Sequence, residues 1–132
     1  MFTLDSVLEK HPLLSADGFG SKNPVDLRNR TDQVDAALAY LRAGAPLDNA
    51  PSTGMYSYAL KHRAESWAGL YICNGAAIAA ALMLGWKVKR DSIASLNATV
   101  WPPQGYVGRP TSLARSRALH LRRRNGRHDE AR

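Results

Sequence analysis

The densest group of chemically useful side chains lies in one short stretch. Tyr58, His62 and Glu65 fall at i, i+4 and i+7, and Lys61 stands four residues before Glu65. On a helix these residues share one face. An aromatic ring, an ammonium, an imidazole and a carboxylate together make a candidate binding site. The same face also reads as solvated helix surface carrying one Lys–Glu pair, worth only about 0.3 kcal/mol. A second candidate is Asn74-Gly75 at the start of the next helical stretch. Free backbone N–H groups at a helix start can hold a phosphate. Neither a Gly-rich loop nor a GxxxxGK[ST] motif accompanies them, which favours a simpler role: Asn74 caps the helix and Gly75 relieves crowding.

Other chemistries find less support. Cys73 is the only cysteine, so an internal disulfide and four-thiolate zinc are excluded. Cys73 precedes the helix start at Asn74, where a dipole lowers a thiol pKa. A nucleophile would then need His62 within hydrogen-bond reach; the alternative is a small buried hydrophobe. His11, His62, His120 and His128 show no familiar metal-ligand spacing. The expectation is therefore a non-enzymatic chain with no cofactor, no metal and no catalytic residue.

Charge divides the chain. From Arg109 to Arg132 there are eight arginines against Asp129 and Glu130, a net +6 of the total +7. Residues 1–108 hold ten basic and nine acidic groups. Any nucleic-acid argument thus concentrates on the tail, where Arg115, Arg117, Arg122, Arg123, Arg124 and Arg127 suit phosphate contacts without reading sequence. A solvated tail or one docking an acidic protein remains the alternative. A helix-turn-helix over 55–68 and 75–84 fits poorly. Its connection from Gly69 to Asn74 is six residues, longer than usual, and its second helix lacks polar side chains for base edges.

The elements that position these groups follow from periodicity. Leu4, Val7 and Leu8 predict a short helix over 3–10, closed by Pro12. Ser15 to Asn29, with Gly18, Gly20 and Pro24, reads as a loop. Thr31 is placed to cap a helix over 32–43 whose apolar face is Val34, Ala37, Leu38 and Leu41, with Gly44 and Pro46 ending it. Leu47 to Gly54 reads as a loop. Helix 55–68 presents Tyr56, Leu60, Ala64 and Trp67 as a buried stripe. Helix 75–84 is alanine-rich, with Gly85 after it. Leu38, Leu41, Leu60, Trp67, Ile78 and Leu82 are the expected core. Trp86 to Lys89 alternates, and Ala98 to Trp101 reads as a short strand before Pro102-Pro103. The longest apolar run, Gly75 to Trp86, has 12 residues, too few to span a membrane. The start, MFTLDSVLEK, has no basic-then-apolar layout, so a cytoplasmic location is expected.

The block Ser57-Tyr58-Ala59-Leu60-Lys61-His62, Glu65, Tyr71-Ile72-Cys73-Asn74-Gly75 and Ile78-Ala79-Ala80-Ala81 resembles a pattern in short uncharacterised proteins of bacteriophages and other mobile elements. That pattern runs SYGLKH…E…YxSNGxxIAAAL…G, and Asn97-Ala98 resembles a segment near its end. Ala59 and Cys73 stand where Gly and Ser are expected. The likeness covers roughly residues 31–101 and implies mobile-element origin without a mechanism.

The expected fold is mainly α: a small helical domain over 1–108 built around a helical hairpin, with a minor β-element near 86–101 and a flexible basic tail over 109–132. The expected function is a mobile-element accessory protein binding nucleic acid or a nucleic-acid-handling host machine. The alternative is a protein-interaction module acting on a host protein through the polar face of helix 55–68. Candidate binding residues are Tyr58, Lys61, His62, Glu65, Asn74 and the six tail arginines named above.

Overall fold

Thr3 starts the first helix by a local bond: its hydroxyl accepts from the Ser6 N–H at 3.1 Å, satisfying a donor that the first turn leaves free. This is helix α1, Leu4–Lys10, in a computed structural model that describes residues 1–44 and 54–103. A tight hairpin follows, β1 Leu14–Ser15 against β2 Gly18–Phe19. A 3₁₀ turn, Leu27–Arg30, then runs into helix α2, Thr31–Arg42.

The second half holds helices α3, Ser57–Ala68, and α4, Asn74–Met83, with three strands around them. Strands β3 Met55–Tyr56, β4 Lys87–Arg90 and β5 Ala98–Trp101 form an antiparallel sheet in the order β3-β5-β4. Met55 and Val88 both pair with Val100. Ala98 and Val100 point into the core while Thr99 and Trp101 stay partly exposed, the alternation of a sheet with one covered face.

The expectation of a mainly α fold is corrected. The four helices together with the 3₁₀ turn make up 48% of the described residues and two antiparallel sheets another 15%, so the architecture is α+β. Ser15 to Asn29 is not a plain loop, because it carries strand residues and the 3₁₀ turn. Two-residue strands are too short to show alternation in sequence. Met55 and Tyr56 belong to a strand rather than to α3, which leaves Tyr56 exposed instead of in the buried stripe. Thr31 does not cap α2: the chain enters from the 3₁₀ turn, and Arg30 occupies the cap position with no side-chain bond.

Helix α4 is the centre of the fold. Ala76, Ala77, Ile78, Ala79, Ala80 and Ala81 are all buried, and α1, α2, α3 and both sheets pack around it. Alanines allow this close approach from every side. Leu38, Leu41, Leu60 and Ile78 are buried as expected, whereas Trp67 and Leu82 are only partly covered. Tyr40 supports Trp67 across the α2–α3 contact, with ring centroids 5.6 Å apart. Gly44, the expected helix terminator, follows α2 as expected, while Pro46 and nearly all of the loop over 47–54 lie outside the described residues, as do 104–132 and all six candidate tail arginines. None of the described helices is long and apolar enough to cross a membrane.

Candidate functional site

Helix α3 fixes the site's charged pair. Lys61 is almost wholly buried, its side chain 6% exposed, and its Nζ lies 3.0 Å from Glu65 Oε1. One helical turn separates the two, so the backbone itself sets their spacing. Glu65 is fully engaged. Oε1 also accepts from the Ile72 N–H at 3.2 Å, and Oε2 accepts from His62 Nδ1 at 3.1 Å. Partial burial alone would raise the Glu65 carboxyl. The bonds from Lys61 and Ile72, the Lys61 charge and His62 outweigh it and hold the carboxyl below its ordinary range. Burial likewise opposes the Lys61 ammonium, and Glu65 and Tyr71 reverse that, so its pKa lies above the ordinary lysine value.

Two tyrosines rest on this pair. Lys61 Nζ is 4.5 Å from the Tyr71 ring centre and 5.5 Å from that of Tyr58. Both are cation–π distances. His62 meets the Tyr58 ring edge-on at 4.6 Å. Tyr71 is nevertheless 62% exposed and Tyr58 50%. The rings are thus held in place but open to solvent.

Asn74, at the first turn of α4, faces the same space. Its Nδ2 points at the Asp17 carbonyl at 3.1 Å, Asn97 Oδ1 at 3.0 Å and the Leu96 carbonyl at 3.4 Å. Two of these are backbone carbonyls, which only accept, so the amide orientation is determined. Its Oδ1 is buried and has no hydrogen-bond partner among the described residues. Asn97 in turn donates from Nδ2 to the Tyr56 hydroxyl at 3.0 Å. Asp17, Tyr58, Lys61, Tyr71, Asn74 and Asn97 line an open cleft of about 540 Å³.

The expected helix cap at Asn74 is therefore corrected. Cys73 is the cap residue, and the Asn74 side chain is spent across the cleft instead. Gly75 does relieve crowding: a Cβ there would collide with the Ser15 carbonyl oxygen of the β1–β2 hairpin. Its N–H donates to the Ala16 carbonyl at 2.9 Å, so the helix start does not offer that donor to a phosphate.

Compared with family models, curated proteins and solved structures, the chain matches none of them. The site must be read from its own chemistry.

Cys73 is buried, and burial pushes its thiol up, away from the thiolate. Its N–H donates to Gln33 Oε1 at 2.9 Å. His62 is committed to Glu65. Among the described residues, no three of His, Cys, Asp and Glu are grouped to hold a metal ion.

The structure brings Tyr58, Lys61, His62, Glu65 and Asn74 into one neighbourhood. It adds Tyr71, Asn97, Asp17 and Tyr56, which helical spacing could not supply because they come from other segments. Tyr71 and Asn97 did stand within the recurring block, the one signal that could have found them. A second concavity, about 210 Å³, lies between Phe2, Lys10, Leu82 and Trp86 at the opposite end of α4.

Proposed function

We propose that this chain is a non-enzymatic accessory protein of a phage or other mobile element that binds nucleic acid in the cytoplasm. In this proposal residues 1–108 form the folded body and 109–132 supply the phosphate contacts. The observation that carries it is the partition of charge. Lys61 and Glu65 close on each other within the body, and Arg28 is bonded to Asp5 and Asp26. The excess positive charge instead lies in 109–132. Arginine suits that task because its planar fork pairs with phosphate oxygens in two-point fashion. Mobile-element origin rests on the resemblance of the block from Ser57 to Ala81.

The test is a salt titration of nucleic-acid binding by the full chain. Four to six phosphate contacts give a slope of log K against log salt of about −4 to −5 on duplex DNA. Replacing Arg122, Arg123 and Arg124 together by Gln should flatten it by about 3. A binding curve without salt dependence would defeat the proposal.

Exposure of Tyr58 and His62 favours a second reading, docking to a host protein through the polar face of α3. Lys61 and Glu65 are spent on each other there, so the face offers rings rather than free charges. A partner captured from host lysate that survives nuclease treatment and is lost on Tyr58→Ala would favour docking.

A further inference from the structure

We propose that the cleft between α3 and the start of α4 receives an unstacked nucleobase of single-stranded nucleic acid, stacked on the open face of Tyr71. The inference rests on the nucleic-acid reading above and deepens it, because arginine–phosphate contacts alone do not distinguish single strands from duplex.

Three observations converge on a base. Tyr71 is the first. Its neighbours Leu70, Ile72 and Cys73 are buried, while its own ring is 62% exposed. Lys61 Nζ sits 4.5 Å from the ring centre and holds it from one side. A large ring displayed to water yet fixed in place is a ready stacking platform, since little freedom remains to be lost on binding. Tyr58, half exposed, stands 5.5 Å from the same ammonium and lines the same cleft.

The charge balance of the cleft is the second. Its one buried cation is matched by Glu65 at 3.0 Å. Arg90, nearby, donates to the Ser95 and Phe19 carbonyls at 2.7 and 3.3 Å. Among the described residues that line the cleft, a phosphate or an acidic peptide finds no unspent cation, and Asp17, which accepts from the Ser21 hydroxyl at 3.0 Å, adds a carboxylate. A planar, uncharged group does not need a cation.

The third is the polarity of what is missing. Asn74 is 7% exposed, and the atom without a partner is its Oδ1, an acceptor. A buried acceptor left unmade is costly, and only a donor relieves it. Phosphates bring acceptors alone. Bases bring amino and ring N–H donors beside carbonyl and ring-nitrogen acceptors, the mixed edge that Asn side chains match. Asn97, which accepts from Asn74 Nδ2 and donates to the Tyr56 hydroxyl, brings a second side-chain amide to the lining of the same cleft.

The experiment measures affinity of the full chain, by fluorescence anisotropy, for a labelled single strand, the matching duplex and a matched strand with abasic sites. DNA and RNA versions identify which sugar is preferred. The single strand should bind more tightly than the other two. Tyr71→Ala should weaken single-strand binding about tenfold or more, leave the abasic strand unaffected and keep the salt slope. Tyr71→Trp should restore binding. Circular dichroism confirms folding of each variant, and the exposed position makes folding loss unexpected. Equal affinity for intact and abasic strands, with Tyr71→Ala silent and the salt slope intact, would overturn the base site while sparing the phosphate contacts. Loss of salt-dependent binding to every probe would instead overturn the nucleic-acid reading itself. Tyr71→Ala losing capture of a nuclease-resistant protein partner, with no effect on any strand, would assign the cleft to a peptide.

Discussion

The two ends of helix α4 meet the rest of the molecule in different ways. At its start, Gly75 lies against backbone, Asn74 spans three acceptors, and the preceding Ile72 and Cys73 N–H groups are held by Glu65 and Gln33. At its end, Leu82 and Trp86 border an open apolar groove with Phe2, and a Cβ on Gly85 would meet only the Phe2 ring at 3.8 Å. Backbone contacts and directed hydrogen bonds specify particular residues. Apolar packing beside solvent specifies little more than bulk. The first end therefore has the character of a built site, the second that of a core margin.

Glycine substitutions expose the contrast most strongly. Gly75→Ala drives a Cβ into the Ser15 carbonyl, which cannot move without breaking the hairpin. A loss of about 3 kcal/mol is expected. Gly85→Ala has space and incurs only its left-handed φ of 78°, about 1 kcal/mol. Denaturant titration of the two variants compares them directly; equal losses would erase the distinction between the ends.

Glu65→Gln comes next. It leaves the buried Lys61 ammonium without its counter-charge while an amide oxygen still accepts from Ile72. Breaking such a pair costs about 2–3 kcal/mol after allowance for the partial exposure of Glu65. The pH dependence has a defined sign. The folded-state pKa of Glu65 is depressed, so its contribution is present above the ordinary carboxylate pKa and is lost as pH falls through the lower folded value. Lys61 is raised, so its contribution is present below the ordinary lysine pKa and lost as pH climbs through the higher folded value. Melting temperatures across pH should show a shallower acid limb in Glu65→Gln than in the native chain.

Leu82→Ala should be milder. Full burial would imply a cost of about 2–5 kcal/mol, but Leu82 is only partly covered, and about 1–2 is expected. Cys73→Ser is the smallest effect on binding. The buried thiol is held away from the thiolate form, so nucleic-acid affinity should be unchanged even if stability falls slightly. A variant that folds but loses binding would return the thiol to consideration.

Local periodicity and terminators made the four helices legible, because each signal lies within a few residues of the element it defines. The alternation over Trp86 to Lys89, which overlaps strand β4, and the short strand Ala98–Trp101 were visible for the same reason. The hairpin at Leu14–Phe19 was not, since two residues cannot display alternation and its partner is the body of α4. Lys61 and Glu65 could be paired from spacing, but the burial of Lys61 could not, because it depends on Tyr71 and the α3–α4 turn. Asn74 shows the limit most plainly. Local rules make Asn at a helix start a cap, whereas its partners Asp17, Leu96 and Asn97 are 57, 22 and 23 residues away in sequence. A long-range polar network overrode a local preference.

The most direct measurement is a residue-resolved NMR titration of the full chain with a short single-stranded oligonucleotide. If the start of α4 is the built site, amide shifts will concentrate at Tyr56–His62, Tyr71–Ala76 and Leu96–Asn97, alongside shifts in 109–132. Residues Phe2, Lys10, Leu82 and Trp86 at the other end will stay unmoved. Shifts centred on that apolar groove, or confined to 109–132, would contradict it.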